Sequence, residues 1–177
     1  MNDIKDISKC TPPEILAPAG DPEALRAAIK GGSDAVYLGV GEFNARQGAK
    51  NFSITELRES IDLAHAYGVK VFLALNIPLK QNEAQTAIDI VHKAYSYNID
   101  AVILEDLGLF FLLKEHFPDF PLHASTQMTI HNPQGVDFIA GAGASRIILS
   151  RELTTAQVRS IIEKTSIEVE LFVHGAL

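Results

Sequence analysis

The sequence predicts an α/β fold, a (β/α)8 TIM-type barrel that is incomplete, with about seven strands and six helices. Short apolar runs alternate with amphipathic stretches along the whole chain, which is typical of parallel strands joined by right-handed helical crossovers. The 177 residues hold six and a half such units. Eight units extrapolate to about 220 residues, within the usual size of a barrel.

Each element has its own signal. The predicted strands are Ile15–Ala17, Ala35–Val40, Val69–Leu75, Ala101–Leu104, Leu122–Ser125, Arg146–Leu149 and Glu168–Val173. The predicted helices lie near residues 22–31, 55–67, 82–97, 107–116, 133–142 and 155–164. In the third helix, one face carries Ala84, Ala87, Ile88, Val91, Ala94 and Tyr95.

Helix boundaries are marked by capping residues. Asp21-Pro22 and Asn132-Pro133 each combine an N-cap with a proline at the first helical position. Ser53 and Glu56 have the spacing of a capping box. The glycines at 31–32 and 141–143 are expected to end helices.

The first strand-to-helix turn argues against the competing fold, an open doubly wound sheet that binds dinucleotides. It reads APAGDPEAL, with one glycine before two carboxylates, Asp21 and Glu23. Those acids already complement the amino terminus of the helix and would repel a phosphate. We therefore expect a leader at residues 1–12 and one truncated barrel domain at 13–177.

Charge and composition limit the class of partner. The formal charge is −7 and no cluster of Lys and Arg appears, which disfavours nucleic-acid binding by these residues alone. No apolar run approaches the roughly 20 residues of a membrane span. The amino terminus lacks the apolar core of a secretory signal, and the single cysteine, Cys10, has no disulfide partner. A cytoplasmic protein without a membrane partner is predicted.

Polar residues recur where the predicted strands end, which is the end that carries the chemistry in such barrels. The candidate substrate-binding residues are Asn44, Arg46, Lys50, Asn76, Glu105, Ser125, Thr126, Gln127 and His174. Structural alternatives stay open. Asn76 fits a turn, Glu105 or Asp106 fits the cap of the next helix, Ser150 and Glu152 fit the last helix, and His123 fits a packed barrel interior.

Two stretches favour a site most strongly. HASTQMTIHN at 123–132 contains three consecutive polar residues after a strand without a glycine or proline. The connection at 41–53 is longer than usual for such units, and its Arg46 and Lys50 suit a carboxylate or phosphate, so a small carboxylate co-substrate is a candidate. No catalytic triad or metal-ligand spacing emerges, so the catalytic residues stay unassigned and no metal site is predicted in these residues.

Four stretches in order resemble the collagenase-like peptidase family, peptidase family U32. They are PEILAPAGDPEALRAAIKGGSDAVYLG, FNARQGAKNF, STQMTIHN and ELFVHGAL. The last is the most specific, because the family signature begins Glu-x-Phe-x-x-Gly-small-aliphatic before a cysteine. Glu170, Phe172, Gly175, Ala176 and Leu177 match it. The chain is thus expected to be the amino-terminal barrel portion, ending just before the family cysteines.

The resemblance implies an iron–sulfur enzyme. Characterised members of the family that this chain resembles hydroxylate nucleobases of RNA or quinone rings. Their cysteines hold a [4Fe–4S] cluster. Cys10 corresponds to none of those ligands, so no cluster is expected on these residues alone. The function implied is part of a tRNA-modifying enzyme that forms 5-hydroxyuridine. The alternatives are a collagenase-like protease, which is a hydrolase, and a non-catalytic partner subunit. Whether this chain alone is an enzyme stays open, and its open barrel edges predict self-association.

Overall fold

The computed structural model describes residues 12–41, 43–45 and 51–175. Several residues singled out from the sequence lie outside these ranges. They are Cys10, Arg46, Lys50, Ala176 and Leu177.

Within the described residues, seven parallel strands alternate with six α-helices, as the sequence predicts. The strands are β1 (Leu16–Pro18), β2 (Ala35–Leu38), β3 (Lys70–Leu75), β4 (Ala101–Leu104), β5 (Leu122–Ala124), β6 (Arg146–Ile148) and β7 (Glu168–Glu170). The helices are α1 (Pro22–Lys30), α2 (Ile54–Ala66), α3 (Ala84–Ser96), α4 (Leu107–His116), α5 (Pro133–Gly141) and α6 (Thr155–Ile162).

The strand order confirms the barrel class over the doubly wound sheet. Each strand pairs with the next one along the chain, in the order β1 to β7. In a doubly wound sheet, strands are added first on one side of the first strand and then on its other side. In a barrel, each new strand is added on the same side as the one before. The sheet is therefore a curled, seven-stranded portion of a barrel, with β1 and β7 at its edges.

Local capping chemistry fixes the helix starts. Asp21 accepts a hydrogen bond from the Ala24 amide at 2.8 Å, and Asn132 accepts one from Gly135 at 2.8 Å. Ser53 and Glu56 form the reciprocal capping box. Because these side chains satisfy amides that have no partner inside the helix, all three predicted starts are confirmed.

The two faces of the sheet bury different sets of residues, because side chains alternate along a strand. The outer face packs under the helices and includes Val36, Leu38, Val71, Leu73, Leu75, Val102, Leu104, Leu122, Ala124, Ile147 and Leu149. The inner face forms a separate cluster inside the curl, made of Ala35, Phe72, Ala101, Ile103 and Ile148. The carboxyl ends of the strands form the end of the curl where barrels of this class place their chemistry, and we call this end the mouth.

Several predicted boundaries are wrong. The last strand ends at Glu170 instead of Val173, because β7 has a neighbour on one side only among the described strands and Leu171–Val173 are exposed. The strand predicted to reach Val40 ends at Leu38, after which Val40 makes an isolated bridge with Phe52. Thr154, not Ser150 or Glu152, caps α6, since Thr154 and Gln157 form a capping box there.

Two smaller differences concern side-chain burial and a strand end. Tyr95 lies on the predicted apolar face of α3 but is half-exposed, whereas Ala87, Val91 and Ala94 of that face are buried. β5 ends at Ala124, so Ser125 begins the following turn. Within the described ranges, no helix has both the length and the apolar character to cross a membrane.

Candidate functional site

Three neighbouring strands deliver adjacent polar side chains to the mouth of the curl. Leu75 of β3 pairs with Leu104 of β4, and Leu104 pairs with Ala124 of β5. One residue further along each strand, the same register places Asn76, Glu105 and Ser125 side by side. We call these three residues the rim triad. Ile103 belongs to the inner cluster, so the alternation directs Glu105, two residues later, toward the mouth.

Glu105 has a carboxyl oxygen without a hydrogen-bond partner at the rim. Its Oε2 atom is buried and has no hydrogen-bond partner. Burial raises the pKa of Glu105, and the neighbouring charge of Asp106 raises it further. A carboxyl group in such a position is suited to exchanging a proton with a ligand or to binding one by a hydrogen bond.

Asp106, in contrast, has a structural role. Its Oδ1 accepts the amide of Leu109 at 2.8 Å and its Oδ2 accepts the amide of Leu79 at 3.1 Å. It therefore caps α4 and holds the connection that follows β3. Of the two acids for which a capping role was open, Asp106 takes it and Glu105 does not.

Asn76 ties the connection after β2 to the end of β3. Its Oδ1 accepts the amide of Ala45 at 3.2 Å. Asn44 is buried, and its Nδ2 donates to the Gly41 carbonyl at 3.4 Å. Both predicted binding residues thus take part in holding this connection. Arg46 and Lys50 of the same connection are outside the described ranges, so their roles stay predictions.

The segment after β5 folds into a short 3-10 helix, Thr126–Met128. Ser125 is buried, and its Oγ accepts the Gln127 amide at 3.2 Å. Thr126 Oγ1 donates to the Leu149 carbonyl at 3.1 Å, which links β5 to β6. Two of the three predicted hydrogen-bonding groups are therefore engaged locally, while Gln127 is exposed at the rim.

His123 lies one layer below the rim triad and is packed inside the barrel, as predicted. Its ring meets Phe72 edge to face, with the centroids 4.8 Å apart, and its Nδ1 has no hydrogen-bond partner. Burial lowers the pKa of His123 to about 3, and the nearby charge of Arg146 acts in the same direction. The imidazole is therefore neutral near pH 7.

An ion cluster occupies the opposite end of the curl, and sequence reasoning missed it. Arg146 is buried on β6, and its Nη2 lies 2.7 Å from Glu168 Oε2 and 2.8 Å from Glu14 Oε1. Its Nη1 lies 3.4 Å from Glu170, and Lys70 pairs with Glu14 at 2.6 Å. The available signal was a single arginine at the start of the otherwise apolar strand RIIL, with acids alternating along the next strand.

The carboxylates of this ion cluster titrate in opposite directions. Burial alone would raise the pKa of Glu14, but hydrogen bonds from Lys70 and Arg146 outweigh it and lower the pKa. For Glu170 burial dominates, and its pKa is raised despite the attraction of Arg146. Glu170, the first residue of the family signature, thus contacts Arg146 inside the curl.

The remaining signature residues follow β7 on an exposed segment. Phe172 lies beneath the guanidinium of Arg151, whose Cζ is 5.9 Å from the ring centroid. His174 is exposed and is not at the end of a strand, which corrects the prediction that a strand delivers it. Gly175 has a φ of 151°, a backbone conformation that favours glycine. Ala176 and Leu177 are not described.

The site can therefore bind a polar ligand by hydrogen bonds and exchange a proton through Glu105. In the part of the chain that the structure describes, no group of three or more His, Cys, Asp or Glu residues is arranged to hold a metal ion.

Relatives with assigned names match almost the whole chain. The chain is 39% identical over 164 residues to the 23S rRNA 5-hydroxycytidine C2501 synthase of Escherichia coli, covering 93% of this chain and 24% of that protein. It is 36% identical to tRNA hydroxylation protein P1 of Bacillus subtilis, covering 93% and 39%. It is 42% identical to an uncharacterized protease of Methanocaldococcus jannaschii, covering 93% and 41%. The chain thus spans less than half the length of these relatives.

The fold also matches solved structures. A U32 peptidase superposes with a TM-score of 0.74 at 17% identity, covering 92% of this chain and 69% of that one. At that identity the likeness shows the fold alone. The model of peptidase family U32 matches residues 20–177, which include the rim triad, Arg146 and the described signature residues. The chain therefore belongs to peptidase family U32.

Proposed function

We propose that this chain is the substrate-binding barrel of an RNA-modifying enzyme that hydroxylates a uridine of tRNA to 5-hydroxyuridine. Its identity to proteins named for rRNA hydroxycytidine synthesis and for tRNA hydroxylation, over 93% of the chain in both cases, supports this assignment. Because the chain spans 24% and 39% of those two relatives, the activity is proposed for the whole protein and not for these residues alone.

The observation on which the proposal depends is the position of Glu105. A nucleobase presents hydrogen-bond donors and acceptors along its edge. The rim triad offers a carboxyl group with a raised pKa between an amide and a hydroxyl, at the end of the barrel where such folds place their chemistry. An acid in this position can hold a base edge and exchange a proton with it.

The charge of the chain bears on how RNA is held. With a formal charge of −7, these residues lack the cationic surface that a phosphate backbone needs. We propose that most phosphate contacts come from another part of the protein or from a partner, and that this barrel receives the base. An RNA substrate also favours the predicted cytoplasmic location.

The residues present do not fit an iron–sulfur cluster. Such clusters are held by several cysteine thiolates, and the chain contains one cysteine, Cys10. The [4Fe–4S] cluster expected for the family therefore belongs, in this proposal, to ligands outside the 177 residues. What these residues supply is the binding of the base and a proton-exchanging group at Glu105.

The experiment is complementation in Escherichia coli. The complete reading frame of the gene is expressed in two strains. One lacks the Escherichia coli tRNA hydroxylation protein P, a further relative that is 37% identical over 166 residues, and the other lacks the 23S rRNA 5-hydroxycytidine C2501 synthase. Digested tRNA and rRNA are then analysed by mass spectrometry. We expect 5-hydroxyuridine to return in tRNA. Restoration only of hydroxycytidine in rRNA would assign a different base, and no modification in either strain would contradict the proposal.

A peptidase function has less support, although one relative carries a protease name. Several serine and threonine hydroxyls of the described residues form hydrogen bonds with backbone groups or with acidic and amide side chains, and none of these bonds involves a histidine. A hydroxyl nucleophile normally requires such a base within hydrogen-bonding distance. Release of peptides from gelatin by the complete protein would restore this alternative.

A further inference from the structure

The turn that follows β5, residues 125–130, is fixed to both neighbouring strands, and we call it the β5 turn. At its start, the Ser125 amide donates to the carbonyl of Leu104, the last residue of β4, at 2.8 Å. At its end, the carbonyl of Ile130 accepts the amide of Ser150, two residues beyond β6, at 3.3 Å. Because β5 has a strand neighbour on each side, the position of this turn does not depend on an edge of the described sheet.

Thr129 closes the β5 turn in a strained backbone conformation. Its φ of 56° and ψ of 37° lie in the left-handed region, which is unfavourable for a β-branched residue. Glycine would adopt the same conformation without this steric cost. Instead, Thr129 Oγ1 donates to the Gln127 carbonyl at 3.2 Å. Strain of this kind is found mainly where it serves function, so it points to a functional role for the turn.

The residue that the β5 turn holds beside the rim triad is Gln127. Its backbone amide donates to Ser125 Oγ at 3.2 Å, and its carbonyl accepts from Thr129. Both hydrogen bonds that Gln127 forms among the described residues therefore use its backbone. The side-chain amide is exposed at the carboxyl end of the strands, which is where barrels of this class bind their ligands.

We propose that Gln127 is a specificity-determining residue that reads the Watson–Crick edge of the pyrimidine base, and that Thr129 positions it. The inference rests on the proposed function, because it takes a base to be the ligand of the mouth. A primary amide presents two donor hydrogens and one acceptor oxygen. The edge of uracil presents an N–H group between two carbonyl oxygens, so one amide can form two hydrogen bonds with it. Enzymes that modify an unstacked base read its edge in this way.

Gln127 and Glu105 have different tasks in this inference. A carboxyl group can exchange a proton with the base, whereas an amide does not titrate and presents the same donors and acceptor at any pH. An uncharged group also adds no further repulsion of RNA to a chain whose formal charge is −7. Recognition of the edge therefore depends on Gln127, and proton exchange depends on Glu105.

The first test measures recognition of the base edge by the complete protein. Fluorescence anisotropy compares oligouridine with the same RNA made of 3-methyluridine, which lacks the N–H group of that edge. We expect the unmodified protein to bind oligouridine at least about tenfold more tightly. Gln127→Met keeps the length of the side chain without its amide, and it should bind oligouridine about tenfold more weakly and lose most of the preference.

Gln85→Met is the matched control, because Gln85 is exposed on α3 and its amide bonds to Asp89. It should change neither the affinity nor the preference. An unmodified protein that binds both RNAs equally, a Gln127→Met protein that keeps the preference, or equal losses in Gln127→Met and Gln85→Met would overturn the inference.

The positioning role of Thr129 is tested by separating its hydroxyl from its backbone strain. Thr129→Gly removes both, and we expect it to bind oligouridine at least about threefold more weakly without a fall in the free energy of unfolding. Thr129→Ser keeps the hydroxyl and should recover the lost binding. Asn98→Gly is the control, because Asn98 also has a positive φ, 62°, but precedes β4 at the other end of the barrel. Lower stability in Thr129→Gly, or no recovery in Thr129→Ser, would overturn this role.

Complementation separates the inference from the proposed function. If the gene restores 5-hydroxyuridine in tRNA, and Gln127→Met does so equally well and keeps the preference for oligouridine, the inference is wrong and the function stands. If the gene restores no 5-hydroxyuridine but the preference for oligouridine still depends on Gln127, the function is wrong and the inference stands.

Discussion

Arg146 Nη2 lies 2.8 Å from Glu14 Oε1, although four strands separate β6 from β1 in the order of the sheet. The same nitrogen lies 2.7 Å from Glu168 on β7. One guanidinium group thus joins the chain just before the first strand to the last strand. A flat sheet could not bring these groups together. The ion cluster therefore requires the sheet to be curled, and it helps to stabilise the curled form.

Removing Arg146 should therefore destabilise the fold strongly. In Arg146→Met the carboxylates of Glu14, Glu168 and Glu170 lose their shared partner. We expect the free energy of unfolding to fall by about 3–5 kcal/mol in urea titrations, the usual cost of breaking a buried pair from one side. Arg58→Met is the control, because its 4.0 Å pair with Asp62 is exposed and should cost less than about 1 kcal/mol. Equal effects in the two variants would contradict a closing role for Arg146.

His123 should make the fold sensitive to acid. The folded pKa is about 3, below the ordinary value of 6.5, so between these values the unfolded chain binds the proton and the folded chain does not. Stability is therefore full above about pH 6.5 and is lost as the pH falls toward 3, at up to about 1.4 kcal/mol per pH unit from this one group.

The variant His123→Phe isolates this contribution, because a ring is kept against Phe72 while the titrating group is removed. Urea unfolding at pH 7.5 and at pH 5 should show a smaller difference for His123→Phe than for the unmodified protein. His174→Gln, which changes an exposed histidine, should keep the full difference. A pH dependence that is the same in all three proteins would argue against a buried neutral His123.

Gly39 is required by the close approach of Asn44. A Cβ atom built on Gly39 would lie 2.5 Å from Asn44 Nδ2, and Asn44 is buried. We expect Gly39→Ala to lower the free energy of unfolding by about 1–3 kcal/mol through overpacking. Combining it with Asn44→Ala should cost less than the sum of the two single changes, because the two closest contacts are then removed and only the 3.2 Å approach to the Cβ atom of residue 44 remains. Gly20→Ala, with no atom within 4 Å of the new carbon, is the control.

The sheet edges should promote self-association of the 177-residue chain. β1 and β7 each have one strand neighbour in the described sheet, and Val173 beyond β7 is 97% exposed. Unpaired strand edges next to apolar side chains are templates for pairing with another chain. Sedimentation velocity should show species larger than a monomer that increase with concentration, and Val173→Lys should reduce them. A monodisperse monomer at all concentrations would contradict this prediction.

The fold could be predicted from the sequence because the residues that define its helices and strands are close together in the chain. Asp21, Ser53 and Asn132 cap their helices through side chains that act within three residues, and short apolar runs define the strands. Strand ends were less certain, since the length of β7 depends on whether a second strand lies beside it. That information is not contained in the residues of β7 themselves.

The candidate site was predicted less completely, because its chemistry depends on contacts between distant residues. The sequence shows that the rim is polar, but it does not show which rim side chains form hydrogen bonds within the protein. Asn76 binds Ala45, 31 positions earlier, and Thr126 binds Leu149, 23 positions later. From the sequence, Arg146 is one residue of a predicted strand, and its contact with Glu14 is seen only in the structure. Phe172 was identified by resemblance, and its exposure beside Arg151 became visible only in the structure.

Replacing Glu105 should stabilise the fold and impair the proposed reaction. Burial raises its folded pKa above the ordinary 4.5, so the folded chain holds the proton more tightly than the unfolded chain does. Stability therefore falls as the pH rises through the window between these two pKa values. Glu105→Gln removes the charge that is unfavourable at neutral pH, and we expect the free energy of unfolding at pH 7.5 to rise by less than about 1 kcal/mol, because solvent screens this partly buried group.

The same change should impair the proposed reaction. A glutamine cannot exchange a proton, so complementation by Glu105→Gln should yield about tenfold less 5-hydroxyuridine in tRNA, or less still. Glu115→Gln removes an exposed charge from α4 and should alter neither stability nor modification. If a residue is retained for function at the expense of the fold, replacing it stabilises the protein. Loss of both stability and modification in Glu105→Gln would therefore indicate that Glu105 is a structural residue.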